Sequence, residues 1–405
     1  MNVLLLAPGF PAEMPLFARG LAEVGATVLG VGDGPVAGLP EEARKSLAAY
    51  LPVKGLLNED ETVRAITQWL GGRTVDRVEC QWEPGVVLAA KVRKALDVPG
   101  MGVEQAVAFR DKETMKQVLD AAGVRTPYHH RARTEEEVRS AAEEIGFPLI
   151  IKPIAGAGSA DTYPVRSPED LDEAIGLTRH VPEVSVEEFI EGEELTFDTI
   201  SADGDVLFHN VAWYRPKPLV ARLHPWISSM AISLRDTDVP DVQKGRELGA
   251  RVLQALDYRT GFAHMEWFLT PSGEAVFGEI GARPPGARLV HAMNYSCDVD
   301  LFRGWAEAIT TGRLSQDTSK KYNAAVVFKR AEGEGIVRRY EGLDAILTQY
   351  GEHIPVCDLT PIGAPRRDWK KSVVGDGWLI ARHPNLETTV EIADKLAAEF
   401  RIVAG

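Results

Sequence analysis

Short apolar runs and amphipathic stretches alternate from the start of the chain. Val3–Ala7 is a continuous apolar run ending at Pro8-Gly9, the pattern of a strand buried on both faces. Residues 14–24 follow a helical period, and Thr27–Val31 is a second apolar run that stops at Gly32-Asp33-Gly34. Strand, helix and strand with glycine-rich ends predict an open, Rossmann-like α/β domain over about residues 1–105. No Gly-x-Gly-x-x-Gly follows the first strand, so the pattern does not support a dinucleotide site there.

The middle of the chain is more sharply punctuated. Asp111–Ala122 predicts a helix: Asp111 caps it, Met115, Val118, Leu119 and Ala122 form its stripe, and Gly123 ends it. Thr134 and Glu137 are spaced as a capping box for a second helix, with Val138, Ala141, Ala142 and Ile145 on one face and Gly146 at its end. Leu149–Ile154 reads as a strand that contains one lysine, Lys152, and runs into the small-residue loop Ala155–Ala160. A strand near Thr162–Val165, a helix opened by Ser167-Pro168 and a strand over Val184–Ile190 follow. Leu195–Ser201 and Val206–Ala212 predict a hairpin, residues 213–232 a long surface loop, and 241–256 a helix. Beyond residue 300 the pattern is mixed α/β without a chemical motif.

One further hairpin carries the most information. Ser272-Gly273 after Pro271 predicts a two-residue turn that pairs Pro271 with Glu274. That register places Glu266 opposite Glu279, Met265 on Ile280, Leu269 on Val276 and Trp267 over Gly278. One face is then apolar, and the other carries Glu266, Glu279, Gly281 and Arg283. Like charges opposed across a strand pair are destabilising. A cation held between them would explain the pair, and all-oxygen ligation favours Mg²⁺ or Mn²⁺ over zinc. A solvated outer face is the competing explanation.

Composition adjusts this picture only at the margins. The chain has 405 residues, enough for two or three domains, and 45% of them are hydrophobic. Its formal net charge of -14 argues against nucleic-acid or anionic-membrane binding through the field of the whole molecule. A local basic cluster for phosphates remains compatible with it. Cys80, Cys297 and Cys357 are far apart and have no metal-ligand spacing, so neither a disulfide framework nor a zinc site is expected. With no basic leader and no long apolar segment, a soluble cytoplasmic protein is the expectation.

Three other groups suggest chemistry. Lys112 sits in the first turn of its helix, where the dipole disfavours a cation unless an anion is near. Lys152 lies among Leu149, Ile150, Ile151 and Ile154 and needs a partner if buried; Gly156, Gly158 and Ser159 follow in a loop whose amides could approach phosphate oxygens. The run Glu187-Glu188-Phe189-Ile190-Glu191-Gly192-Glu193-Glu194 is either an acidic turn or a nucleoside clamp.

The order and spacing of these groups resemble the ATP-grasp superfamily of carboxylate–amine and carboxylate–thiol ligases, which includes biotin carboxylase. The resemblance rests on Arg110-Asp111-Lys112, on Pro148-Leu-Ile-Ile-Lys152-Pro153, on Glu187 to Glu194, and on Glu266 with Glu279-Ile-Gly-Ala-Arg283, and it covers about residues 105–290. It implies a mixed α/β and α+β multidomain protein. The N-terminal domain would be followed by an ATP-grasp domain over 106–300, with a lid over about 124–190, and by a C-terminal α/β region over 301–405. It implies that Lys112 and Lys152 contact ATP phosphates under the loop Gly156–Ala160, which includes Gly158 and Ser159. Glu187, Glu188, Phe189 and Ile190 would surround adenine, and Glu194 would hold the ribose. Glu266 and Glu279 would bind Mg²⁺, and Arg283 would stabilise an acyl-phosphate and a tetrahedral intermediate. Many members have Asn two residues after the second glutamate, where this chain has Gly281.

The implied reaction activates a carboxylate with ATP and transfers the acyl group to an amine, releasing ADP and phosphate. Glu279-Ile-Gly-Ala-Arg-Pro-Pro-Gly is similar to the last motif of the L-amino-acid ligase branch. Arg288, His291, Arg215, Lys217, Arg222 and His224 are candidates for the small-molecule carboxylate and amine, because a guanidinium can clamp a carboxylate with two hydrogen bonds. Bicarbonate activation as in biotin carboxylase, or ATP binding without catalysis, are the alternatives. Neither membrane nor nucleic acid is an expected partner, and a homodimer is compatible with the resemblance.

Overall fold

The structure is a computed structural model that describes residues 1–156, 160–224, 226–368 and 374–405. Its first unit is the expected open α/β layer. Ala49–Val53, Thr27–Asp33, Asn2–Leu6 and Arg77–Cys80 lie side by side in that order, all parallel. The apolar run Val3–Leu6 is buried on both faces, as its sequence requires, with helices Met14–Glu23, Glu59–Leu70 and Val86–Leu96 supplying the covering layers.

The second unit is a four-stranded antiparallel sheet in the order His129–Ala132, Val184–Glu188, Leu149–Pro153, Tyr163–Val165. Helices Glu135–Ile145 and Pro168–Thr178 cover it, and Val138, Leu149, Ile151, Leu171, Ile175 and Val186 form its own small core. Both helix starts follow the predicted capping chemistry: the Thr134–Glu137 box is reciprocal, and the Asp170 amide donates to Ser167 Oγ at 3.1 Å. Helix Lys112–Ala121 precedes this unit, with the Thr114 amide donating to the capping Asp111 at 2.8 Å.

A nine-stranded sheet forms the body of the molecule. Its order is Ala275–Gly281, Gly261–Leu269, Glu193–Ala202, Ala212–Arg215, Met230–Ser233, Asn323–Lys329, Gly377–His383, Val356–Leu359, with Asp205–Asn210 also paired to Glu193–Ala202. Two expectations are corrected here. Residues 213–232 are not one surface loop: Ala212–Arg215 and Met230–Ser233 are interior strands, and helix Pro218–Leu223 lies between them. Alternation misses them because Met230, Ala231, Ile232 and Ser233 are all buried, leaving no polar face to read.

The second correction concerns the glutamate hairpin. Its loop has three residues rather than two, because the Thr270 amide donates to the Glu274 carbonyl at 2.9 Å and Gly273 adopts φ +79°. Trp267 therefore faces Phe277, and Leu269 faces Ala275. A bulge at Gly278 then absorbs one residue, and Glu266 again faces Glu279 with Met265 on Ile280. Gly278 fits this bulge because a Cβ there would stand 2.8 Å from the Glu266 carbonyl oxygen.

No helix among the described residues is long and apolar enough to cross a membrane.

Candidate functional site

Between the four-stranded unit and the large sheet lies a cleft of about 1780 Å³. Its wall is built by strand alternation. Glu194, Thr196 and Asp198 share one face of their strand, and the register sets them opposite Phe268, Glu266 and His264. The same face continues to Glu279 and Gly281 on the next strand.

Both predicted lysines reach this wall and both are paired. Lys112 is almost fully buried; its Nζ donates to Glu279 Oε1 at 2.8 Å and to the Gly156 carbonyl at 2.9 Å. The conflict between its charge and the helix dipole is thus resolved by a carboxylate of the same site. Lys152 Nζ lies 2.9 Å from Glu187 Oε2. Glu187 is shared: Lys116 Nζ donates to its Oε1 at 2.6 Å and the Ser185 hydroxyl at 2.7 Å. Burial alone would raise the Glu187 carboxyl, but the two ammonium groups hold it well below the usual carboxylate range. Burial pushes Lys116 down to about 8, since one carboxylate must serve two cations. The Glu187 side chain is therefore a strut beneath Lys152, while Glu188, Phe189 and Ile190 line the cleft beyond it.

The opposed glutamates are relieved from two sides. Glu279 has Lys112 on Oε1; Glu266 accepts from the Tyr214 hydroxyl at 3.3 Å on Oε1, with His264 Nε2 3.5 Å from the same atom. Burial opposes ionisation of Glu266, but His264, Arg283 and Lys152 outweigh it and hold its carboxyl below the ordinary value. Among the described residues no hydrogen bond uses Oε2 of either glutamate. Nor, among them, do three His, Cys, Asp or Glu side chains converge on a metal position. Two carboxylates with one spare oxygen each suit a hard divalent cation that takes its remaining ligands from water and phosphate.

Arg283 leaves this face for the N-terminal unit. Its Nε and Nη2 donate to Glu83 Oε2 at 2.8 and 2.6 Å, and Arg110 pairs with the other oxygen of Glu83. Gly281 is part of this arrangement, since a Cβ there would meet Arg283 Cγ at 3.3 Å and Nε at 3.4 Å. Glu194 lies in the same wall, where burial and the Glu266 charge push its carboxyl up to about 8.

The remaining sequence candidates divide. Arg215, Lys217, Arg222 and His224 line the cleft, with Arg215 Nη1 3.2 Å from Asp394 and its guanidinium 4.9 Å from the Trp213 ring. Arg288 and His291 do not line it. Arg288 lies 5.1 Å from the Trp378 ring, and its amide donates to Glu13 at 3.0 Å. His291 packs edgewise on Phe302 and Trp378, each at 5.2 Å, and burial pushes its imidazole down to about 4. Arg288 caps helix Leu289–Cys297 and His291 lies in its first turn. Gly156 meets Lys112 through its carbonyl, while Gly158 and Ser159 lie outside the described residues.

Glu83, Lys116 and Tyr214 carry no role in the sequence, and His264 reads there as an ordinary structural histidine, yet each touches a residue of the site, and Asp198 lies behind His264. The alternation that singles out Glu266 also selects His264, two residues earlier on the same face.

Residues 118–288 match the family described as D-ala D-ala ligase C-terminus. The L-arginine-specific L-amino acid ligase of Bacillus subtilis is 26% identical over 234 residues, which is 56% of this chain and 56% of that protein. The chain thus spans about half the length of the curated relatives it matches, 53% and 58% for two others. The crystal structure of an L-amino acid ligase from Bacillus licheniformis superposes with a TM-score of 0.79 at 19% identity, covering 100% of this chain and 98% of that one. The biotin carboxylase domain of Hydrogenobacter thermophilus 2-oxoglutarate carboxylase, solved with MgADP, ADP and bicarbonate, gives 0.68 at 18% identity over 96% of this chain and 88% of that one.

Proposed function

We infer that this chain, which carries the D-ala–D-ala ligase C-terminal domain within an ATP-grasp fold, is an ADP-forming ligase that joins a small carboxylate, an amino acid in the first instance, to an amine. The observation that carries the reading is that Lys112, Lys152, Glu266, Glu279 and Arg283 all line one cleft.

ATP with its divalent cation supplies the phosphoryl group that turns a carboxylate into an acyl-phosphate, from which the amine displaces phosphate. The chain's own part is positioning and charge. Glu266 and Glu279 would hold Mg²⁺ or Mn²⁺ through their spare oxygens. Lys112 and Lys152 bring positive charge to the phosphate end, and Glu187 fixes the direction of Lys152. Phe189 and Ile190 give the nucleoside end an apolar wall, beside which Glu194 can serve the sugar hydroxyls. Arg283, Arg215 and Arg222 line the cleft and are the candidates to meet the substrate carboxylate, Arg283 and Arg215 by exchange with their present carboxylate partners. No nucleophilic side chain is required. The reaction belongs in the cytoplasm, where ATP and free amino acids meet.

ADP release measured across amino acids and small carboxylates, singly and in pairs with product mass read out, tests this. Release stimulated by an amino-acid pair, with a product of their summed mass less water, is expected. Release stimulated only by biotin with bicarbonate would replace the reading with carboxylase chemistry. Glu279→Gln is expected to lower turnover on the order of 10²-fold or more. Normal turnover in that variant would remove Glu279 from the cation site.

A further inference from the structure

Behind Glu266 lies a buried polar chain that the ligase reading does not use. Asp198 is fully buried in the central sheet, opposite His264 in the strand register. Its Oδ2 accepts from the Thr196 hydroxyl at 2.7 Å and from Asn210 Nδ2 at 2.9 Å. Lys320 Nζ donates to Asn210 Oδ1 at 2.5 Å, and the Ala212 amide donates to Thr196 Oγ1 at 3.1 Å. The other oxygen, Oδ1, lies 2.6 Å from His264 Nδ1. With one ring nitrogen fixed, the imidazole has a single direction left, and its Nε2 stands 3.5 Å from Glu266 Oε1. Across the strand from His264 is Gly281, which brings no side chain to compete for that space.

We propose that His264 is a positioning residue for the cation site: anchored by Asp198, it holds Oε1 of Glu266 and leaves Oε2 to the metal. This rests on the reading of Glu266 as a cation ligand. A bare pair of carboxylates has many rotamers, and a site that binds a cation well must restrict them before the ion arrives. Tyr214 and His264 converge on the same oxygen of Glu266, which restricts it from two directions. In sites where a histidine ligates the metal, a carboxylate behind the ring sets its orientation. Here the order is carboxylate, histidine, carboxylate, and the imidazole passes the rigidity of the sheet to the ligand.

The test reads Mn²⁺ binding at constant pH from the electron paramagnetic resonance of the free ion, with and without ADP, on the full chain. Each variant's thermal unfolding midpoint is recorded alongside. An asparagine amide can replace ring Nδ1 and keep the bond to Asp198, whereas a glutamine amide can replace Nε2 and keep the contact with Glu266. His264→Ala and Asp198→Asn are expected to weaken Mn²⁺ binding roughly 10- to 100-fold. His264→Gln is expected to recover most of that loss and His264→Asn little of it. A merely structural role predicts the reverse, recovery by asparagine along with the melting temperature, and that result would overturn the proposal. So would unchanged Mn²⁺ binding in all the His264 variants while Glu266→Gln abolishes it. Unchanged Mn²⁺ binding in Glu266→Gln would instead overturn the cation-site reading itself.

Discussion

Arg283 can reach Glu83, 200 residues away in sequence, because Gly281 clears the space its side chain folds into. The absence of a side chain at position 281 is therefore tied to an arginine contact. Gly281→Asn is expected to displace Arg283 rather than add a metal ligand and, on the proposed ligase reading, to lower ADP release on the order of 10²-fold, as a misplacement of about 1 Å does. Steady-state ADP release with saturating Mg²⁺ checks this, and faster turnover would show that the asparagine ligates after all. The residues legible in the sequence are those whose neighbours betray them: Lys152 in an apolar strand, Lys112 in a first helical turn, Glu266 against Glu279. Glu83, Lys116 and Tyr214 were not legible because each is ordinary in its local context and acquires meaning only from a distant partner.

At the level of elements, the junction between the four-stranded unit and the helix beneath it is made of ion pairs. Arg131 joins Asp111 and Glu183, Arg125 joins Glu188, and His129 sits between Glu113 at 3.0 Å and Asp120 at 2.9 Å. Burial would lower the His129 imidazole, but its two carboxylates outweigh that and raise it. A raised folded value means that its stabilisation is complete below the ordinary imidazole range and fades as pH rises through the raised value. His129→Gln should thus cost about 1 kcal/mol at about pH 6 and much less at about pH 9, as compared by urea midpoints at the two values. A deficit independent of pH would mean that the ring packs rather than pairs. The glutamate hairpin shows why element reading succeeds partly by luck. The third loop residue and the Gly278 bulge shift the register in opposite senses, so the pairing of Glu266 with Glu279 survives while that of Trp267 does not. Neither irregularity has a hydrophobic signature, since alternation is blind to a residue that is skipped.

For the whole molecule, two long-range ties decide what holds together. Glu83 is the first, a carboxylate of the N-terminal unit that is almost fully buried between two guanidinium groups. Glu83→Gln removes the carboxylate that two partly buried guanidinium groups share and is expected to cost about 3 kcal/mol of stability, measured by urea unfolding. The second tie is the central sheet. Strands Asn323–Lys329 and Gly377–His383 continue it directly from Met230–Ser233, and Ala324, Ala325, Val326 and Val327 are fully buried there. Removal of residues 321–405 is expected to abolish cooperative thermal unfolding, and a truncated chain that melts in a single sharp transition would contradict it. The parallel N-terminal unit was legible because its strands alternate with helices in sequence order; the large sheet was not, since its neighbours come from far apart in the chain. That order also has a meaning in time. Met230–Ser233 has its far edge covered only when residue 323 arrives, 323 − 233 = 90 residues later. At about 5–20 residues per second of synthesis, this strand edge, three of its four residues apolar, stands open to other nascent chains for roughly 5–20 seconds. The pace of translation is thereby coupled to how much of this protein reaches its fold.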